Sequence, residues 1–98
     1  MKKDLQHIMV ELRKLLPYIT QKYGVNSIEL FGSFVRNQHD KNSDLDVLIT
    51  FSKVPSLLKF IELKNYLSDE LDVNVDLVMK DSLKPRIGKN ILSEAIAV

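Results

Sequence analysis

Three aspartates stand at or within apolar, strand-like segments: Asp44 and Asp46 in SDLDVLITF, and Asp76 in VNVDLVM. Side chains two apart on an extended backbone leave the same face, about 6.5–7 Å from one another. Asp76, flanked by Val75 and Leu77, falls on the polar side of its segment together with Asn74. Three carboxylates converging on one face of neighbouring strands repel, and one or more takes up a proton unless a cation is present. Hard divalent ions bind oxygen ligands, and two of them about 3.5–4 Å apart can share such acids. An isolated Asp-x-Asp is also a common turn or cap. An EF-hand competes for the same residues, because Asp40, Asn42, Asp44 and Asp46 match its loop positions 1, 3, 5 and 7. It fails where that loop is strict: Leu45 replaces the turn glycine and Phe51 the bidentate glutamate.

Ahead of the acids lies Gly32-Ser33, at the end of SIELF. A glycine after a strand lets the backbone approach a ligand, and a following helical turn aims its N–H groups at an anion. Ser33 adds a hydroxyl, and Arg36, one turn on, is within reach of the same phosphate. Taken alone, these two residues read better as a turn glycine with a helix-capping serine. A side chain at Gly32 is expected to obstruct a phosphate with modest loss of stability. No Walker A loop is present, since GKN at 88–90 lacks the first glycine and the Ser/Thr. His7 and His39 are isolated and are expected at the surface. Lys84, Arg86 and Lys89 offer charge to a phosphate or a partner, or solvate a helix face.

The elements that must position these groups follow from periodicity. Leu5, Ile8, Met9, Leu12, Leu15, Leu16 and Ile19 recur at helical spacing, predicting an amphipathic helix over 4–22 that Pro17 kinks or shortens and Gly24 caps. Strands are expected at 27–31, 44–51 and 73–79, the second buried on both faces towards its far end. Between them, Pro55 marks the start of a helix to about residue 71, lined by Leu57, Phe60, Ile61, Leu67 and Leu71. A short helix around 87–94 follows, and AIAV has no clear assignment. The order predicts an α/β fold: a small sheet of at least three strands flanked by helices. Its strand–helix–strand unit 44–79 should be a right-handed parallel crossover. The polar link of about twelve residues from Phe31 to Asp44 holds only a turn or a short helix, so the first two strands are free to pair antiparallel, giving a mixed sheet.

The 98 residues suffice for one domain, 1–98, with a single core. At 45% hydrophobic and 28% charged, the composition is that of an ordinary globular chain. No apolar run approaches a membrane span, and the start reads as an amphipathic helix rather than a signal peptide. Zero cysteines exclude disulfides and thiolate metal sites and suit a cytoplasmic location. A net charge of +1 gives no footprint for direct nucleic-acid binding. Acid is concentrated mid-chain: residues 42–81 hold eight Asp/Glu against four Lys/Arg, which suits a bound cation. Asp69, Glu70 and Asp72 within that count read as a solvated helix end.

Taken together, GSFVRNQHDKNSDLD, with ten residues between Ser33 and Asp44, resembles the GS-x10-DxD signature of the polymerase-beta-type nucleotidyltransferase superfamily. VNVDLVM resembles its third acidic strand. The resemblance covers nearly the whole chain and is closest to the minimal nucleotidyltransferase (MNT) group, antitoxins of pairs whose toxin is a HEPN ribonuclease. It implies the polymerase-beta-like fold, with catalytic and metal-ligating roles for Asp44, Asp46 and Asp76 on two Mg2+ ions. It also implies nucleotide-binding roles for Gly32, Ser33, Arg36 and Ser43, and transfer of AMP from ATP to a toxin tyrosine. The family often carries glycine after the arginine. Here that position is Asn37, which tolerates left-handed backbone better than other non-glycine residues. A chain of this length is expected to lack a second domain for an acceptor, so the acceptor is expected to come from, or be held by, another chain. A non-catalytic module that silences its partner by occlusion, or a subunit acting on a small molecule, remains an alternative. Homo-oligomerisation is compatible with either.

Overall fold

The computed structural model describes residues 4–40, 42–83 and 85–98, with the side chains of 85–87 outside the description. Lys84 and the side chain of Arg86 therefore lie outside the described residues, and Lys89 is exposed.

Helix α1, Leu5–Tyr23, starts at Asp4, whose carboxylate accepts the His7 N–H at 2.9 Å. It ends at Gly24, left-handed at φ 70°, whose N–H donates to the Thr20 carbonyl. Pro17 does not end it. The helix runs on for six residues because Ile19 and Tyr23, beyond the proline, are buried and hold the last turns against the core. Strand β1, Val25–Phe31, begins two residues earlier than its sequence pattern indicates, and β2 is Leu45–Phe51. Helix α2, Leu57–Leu71, is capped by Ser56, and left-handed Asp72 closes it. Strand β3, Val75–Met79, leads through a 3-10 turn at Lys80–Ser82 to helix α3, Pro85–Glu94. The unassigned AIAV supplies a short strand β4, Ile96–Ala97.

The sheet order is β3-β2-β1-β4. β1 pairs antiparallel with both β2 and β4, whereas β2 and β3 are parallel, so the sheet is mixed and joined by the expected crossover through α2. One face carries Ile28, Leu30, Leu45, Val47, Ile49, Val75 and Leu77, packed with Ile8, Leu12 and Ile19 of α1 and Leu63, Leu67 and Leu71 of α2. Two expectations for α2 change. Leu57 and Ile61 are 73% and 44% exposed, because the sheet lies under the face carrying 60, 63, 67 and 71. In β2 the stretch buried on both faces is Val47–Leu48–Ile49, mid-strand rather than at the far end. Among the described residues, no helix is long and apolar enough to cross a membrane.

The other face is the polar one. Register places Phe31, Asp46 and Asp76 side by side across β1, β2 and β3, with Glu29, Leu48 and Val78 in the next row. Glu29 is held there by Lys80, Nζ to Oε1 at 2.6 Å.

Candidate active site

Strand pairing creates the acid cluster. Asp46 and Asp76 are direct neighbours in the parallel β2–β3 ladder, so residues thirty apart in sequence project from the same face. Asp44 lies two residues before Asp46, just outside the strand, and its carboxylate accepts a hydrogen bond from Asn74 Nδ2 at 2.8 Å. Asp44 and Asp76 are exposed, while Asp46 is partly buried. Burial first, then the charge of Asp76 and then that of Asp44, push the Asp46 carboxyl up to about 6. A hydrogen bond with Asp76 pushes it further the same way, and the Arg36 guanidinium opposes the rise.

Gly32 follows Phe31, the residue opposite Asp46. It is left-handed at φ +81°, and a Cβ on it would stand 2.0 Å from Asp46 Oδ2 and 2.9 Å from its Cγ. The glycine thus serves two demands at once, a backbone conformation and the space occupied by the carboxylate. This alters the expectation for substitution there: the added atom meets Asp46 before it meets any ligand, so stability falls as well as affinity.

After Gly32 the chain makes a single helical turn. The Arg36 N–H donates to the Gly32 carbonyl, Gln38 N–H to Ser33 and Asn37 N–H to Phe34, at 3.1, 2.8 and 3.3 Å. The last two bonds form a Schellman closure around Asn37, left-handed at φ 56°. Asn37 thus does the work of a glycine. Phe34 is buried and stacks on His39, ring centroids 4.0 Å apart, which anchors the turn. His39 is 5% exposed, so its expected surface position is wrong; the stacking partner five residues earlier draws it inward. His7 is at the surface, paired with Glu11.

The remaining expected nucleotide residues stand as follows. Ser33 is half-buried at the start of the turn. Arg36 donates to both carboxylate oxygens of Glu94 at the end of α3, at 3.1 and 3.3 Å, and through Nε to Gln38. The Ser43 hydroxyl is engaged in a turn with Asp40, accepting the Asp40 N–H at 3.0 Å. Sequence alone gave no sign of Glu94, which lies fifty-eight residues from Arg36. Asn74 had a signal, its place two residues before Asp76 on the polar side of the same segment.

The donor set is three carboxylate groups with no soft ligand, which fits a hard divalent ion such as Mg2+. Burial, with the charges of Asp76 and Asp44 added, already lets the Asp46 carboxyl hold its proton above the usual carboxylate range. Among the described residues, no three His, Asp or Glu side chains are disposed to grip a single ion as they stand.

Residues 12–98 match the model of the nucleotidyltransferase domain family. A protein adenylyltransferase of Thermococcus cleftensis, MntA, is 44% identical over 95 residues, covering 97% of this chain and 93% of the relative. A solved minimal nucleotidyltransferase superposes with a TM-score of 0.83 at 32% identity, covering 98% and 97% of the two chains. A toxin–antitoxin structure with AMP-PNP gives a TM-score of 0.74 at 25% identity, covering 90% of this chain and 69% of the other. MntA–HepT toxin–antitoxin complexes share the fold at 21 and 23% identity, a likeness of fold alone. The helices and the four-stranded mixed sheet match those of the minimal nucleotidyltransferase. This chain belongs to the nucleotidyltransferase domain family, and within it to the minimal nucleotidyltransferases.

Proposed function

We propose that this chain transfers AMP from ATP to a hydroxyl, that of a tyrosine, on a HEPN ribonuclease toxin, and thereby acts as its antitoxin in the cytoplasm. The observation that carries this reading is the contact between Gly32 and Asp46: the phosphate-approach turn and the acid pair are packed against each other. The relative from Thermococcus cleftensis and the AMP-PNP-containing toxin–antitoxin structure support the substrate and the class of partner.

Ser33 and the N–H groups of the turn would cradle the triphosphate, with Ser43 beside the acids. Arg36, which bonds Glu94 through Nη1 and Gln38 through Nε, would turn to a phosphate by exchanging one anionic partner for another. Asp44, Asp46 and Asp76 would hold two Mg2+ ions, which supply charge neutralisation at the leaving pyrophosphate and a more acidic acceptor hydroxyl. The acceptor oxygen bonds to the α-phosphorus as the bond to pyrophosphate breaks in line. Asp76, exposed beside Asp46, receives the hydroxyl proton. With its carboxyl raised to about 6, Asp46 is mostly ionised at neutral pH, and a bound cation would shift the protonated remainder to the anion.

The rival reading, neutralisation by occlusion, draws on the exposed apolar stripe Val54, Leu57, Leu58 and Ile61, far along β2 from the acids. One double variant separates the two. Asp44→Asn with Asp46→Asn keeps volume and removes two charges, so the partner should still bind. Under AMP transfer it no longer labels the partner from α-labelled ATP and no longer protects cells from the toxin. Full protection without labelling would overturn the transfer reading and leave occlusion.

A further inference from the structure

Asp44 differs from the other two acids in how its side chain is held. The Asp46 carboxylate lies against the Gly32 backbone, and Asp46 and Asp76 occupy paired backbone positions in the β2–β3 ladder. Asp44 precedes the first paired residue of β2 and is exposed, so neither ladder nor packing fixes its rotamer. Its hydrogen-bond partner is Asn74, which grips the same point twice. The Asn74 carbonyl accepts the Leu45 N–H at 2.8 Å, and its side chain donates to Asp44 Oδ1 at 2.8 Å. Asn74 therefore occupies the corner of a four-residue square, with Asp44, Asp46 and Asp76 at the others.

The chemistry of that corner is selective. A carboxylate only accepts hydrogen bonds, so the carboxamide must turn its NH2 towards Asp44. A lysine or arginine there would orient Asp44 equally well but would neutralise it and compete with a bound cation. An aspartate would add a fourth negative charge to a cluster that already raises the Asp46 carboxyl. Asparagine orients without altering the net charge, and its hydrogen bond engages Oδ1 of Asp44.

We propose that Asn74 is a positioning residue of this site: it aims the Asp44 carboxylate for cation binding and so for nucleotidyl transfer. The inference rests on the nucleotidyltransferase reading of the same acids. Side chains that orient metal-ligating groups are typically worth about 10- to 100-fold in metal affinity or activity. A hydrogen bond between two exposed groups contributes little to stability, so the two effects separate.

The test uses Asn74→Ala and Asn74→Gln in the full chain. Mn2+ is titrated by electron paramagnetic resonance in the presence of an ATP analogue with methylene between the α- and β-phosphorus, which cannot be cleaved. Asn74→Ala should weaken Mn2+ binding about tenfold while its melting temperature stays within about 4 °C of the parent. Asn74→Gln, with the donor kept on a longer arm, should recover most of the loss. Mn2+ affinity in Asn74→Ala within twofold of the parent would overturn the proposal. So would a melting temperature of Asn74→Ala well beyond about 4 °C below the parent with Mn2+ affinity falling in step, since that marks a structural role. A parent that binds no Mn2+ overturns both this inference and the transfer reading. A parent that binds Mn2+ through Asn74-dependent affinity yet transfers no AMP to its partner overturns the transfer reading alone.

Discussion

Gly32→Ala is the sharpest probe of how this site is built, because the cost has two separable parts. The first is conformational. At φ +81° a Cβ crowds the backbone, a penalty of about 1–2 kcal/mol for a non-glycine residue. The second is steric. The new methyl carbon would stand 2.0 Å from Asp46 Oδ2, so the carboxylate must leave its rotamer, a strain of about 1–3 kcal/mol by analogy with overpacked cores. The sum is about 2–5 kcal/mol. For a chain of this size that lowers the melting temperature by at least about 8 °C. Urea denaturation of four proteins resolves the parts: parent, Gly32→Ala, Asp46→Ala, and the double variant. Asp46→Ala removes the contacts at 2.0 and 2.9 Å and leaves only the 3.3 Å contact to its Cβ. In that background Gly32→Ala should cost only the conformational part, giving a coupling of about 1–3 kcal/mol. Equal cost of Gly32→Ala in both backgrounds would refute the contact. A Gly32→Ala melt within 3 °C of the parent, by roughly the same conversion, would refute the whole account.

Asp46 links stability to pH. Its folded carboxyl, about 6 against an ordinary 3.8, holds its proton more tightly than the unfolded chain does. The stabilisation is complete below pH 3.8 and is lost as pH rises through 6. In EDTA, Asp46→Asn should therefore be more stable than the parent at pH 7.5, by about 2 kcal/mol after allowance for partial exposure, and gain nothing below pH 4. A gain of equal size at both pH values in chemical denaturation would mean packing, not charge, is responsible. Mg2+ with ATP should reverse the penalty: at a hundredfold excess over the dissociation constant, linkage gives about 2.7 kcal/mol, an upward melting shift of about 11–22 °C relative to ATP with EDTA. Coincident melts at millimolar nucleotide would exclude a metal–nucleotide site.

Local features of the sequence carried most of the elements and the identity of the acids. Helix caps at Asp4, Gly24 and Ser56 act between residues three or four apart, so their signals sit next to each other in the chain. Two-residue periodicity put Asp44 with Asp46 and Asp76 with Asn74, because a strand's side chains alternate whatever it packs against. The left-handed position at Asn37 follows in the same way from a closure six residues long. What local pattern cannot express is which strands meet and in what register. Only the β2–β3 ladder set Asp46 beside Asp76, and only the β1–β2 pairing brought Gly32 against Asp46. The same holds for the Arg36–Glu94 bridge, the burial of His39 and strand β4, which is two residues long and exists because β1 offered it an edge. The face of α2 turned to the sheet was likewise decided by the crossover, leaving Leu57 and Ile61 in solvent despite their helical spacing. Sequence spacing fixes neighbours along an element; the contacts that shift a carboxyl group or demand a glycine are made across elements, where only the tertiary fold sets the distance.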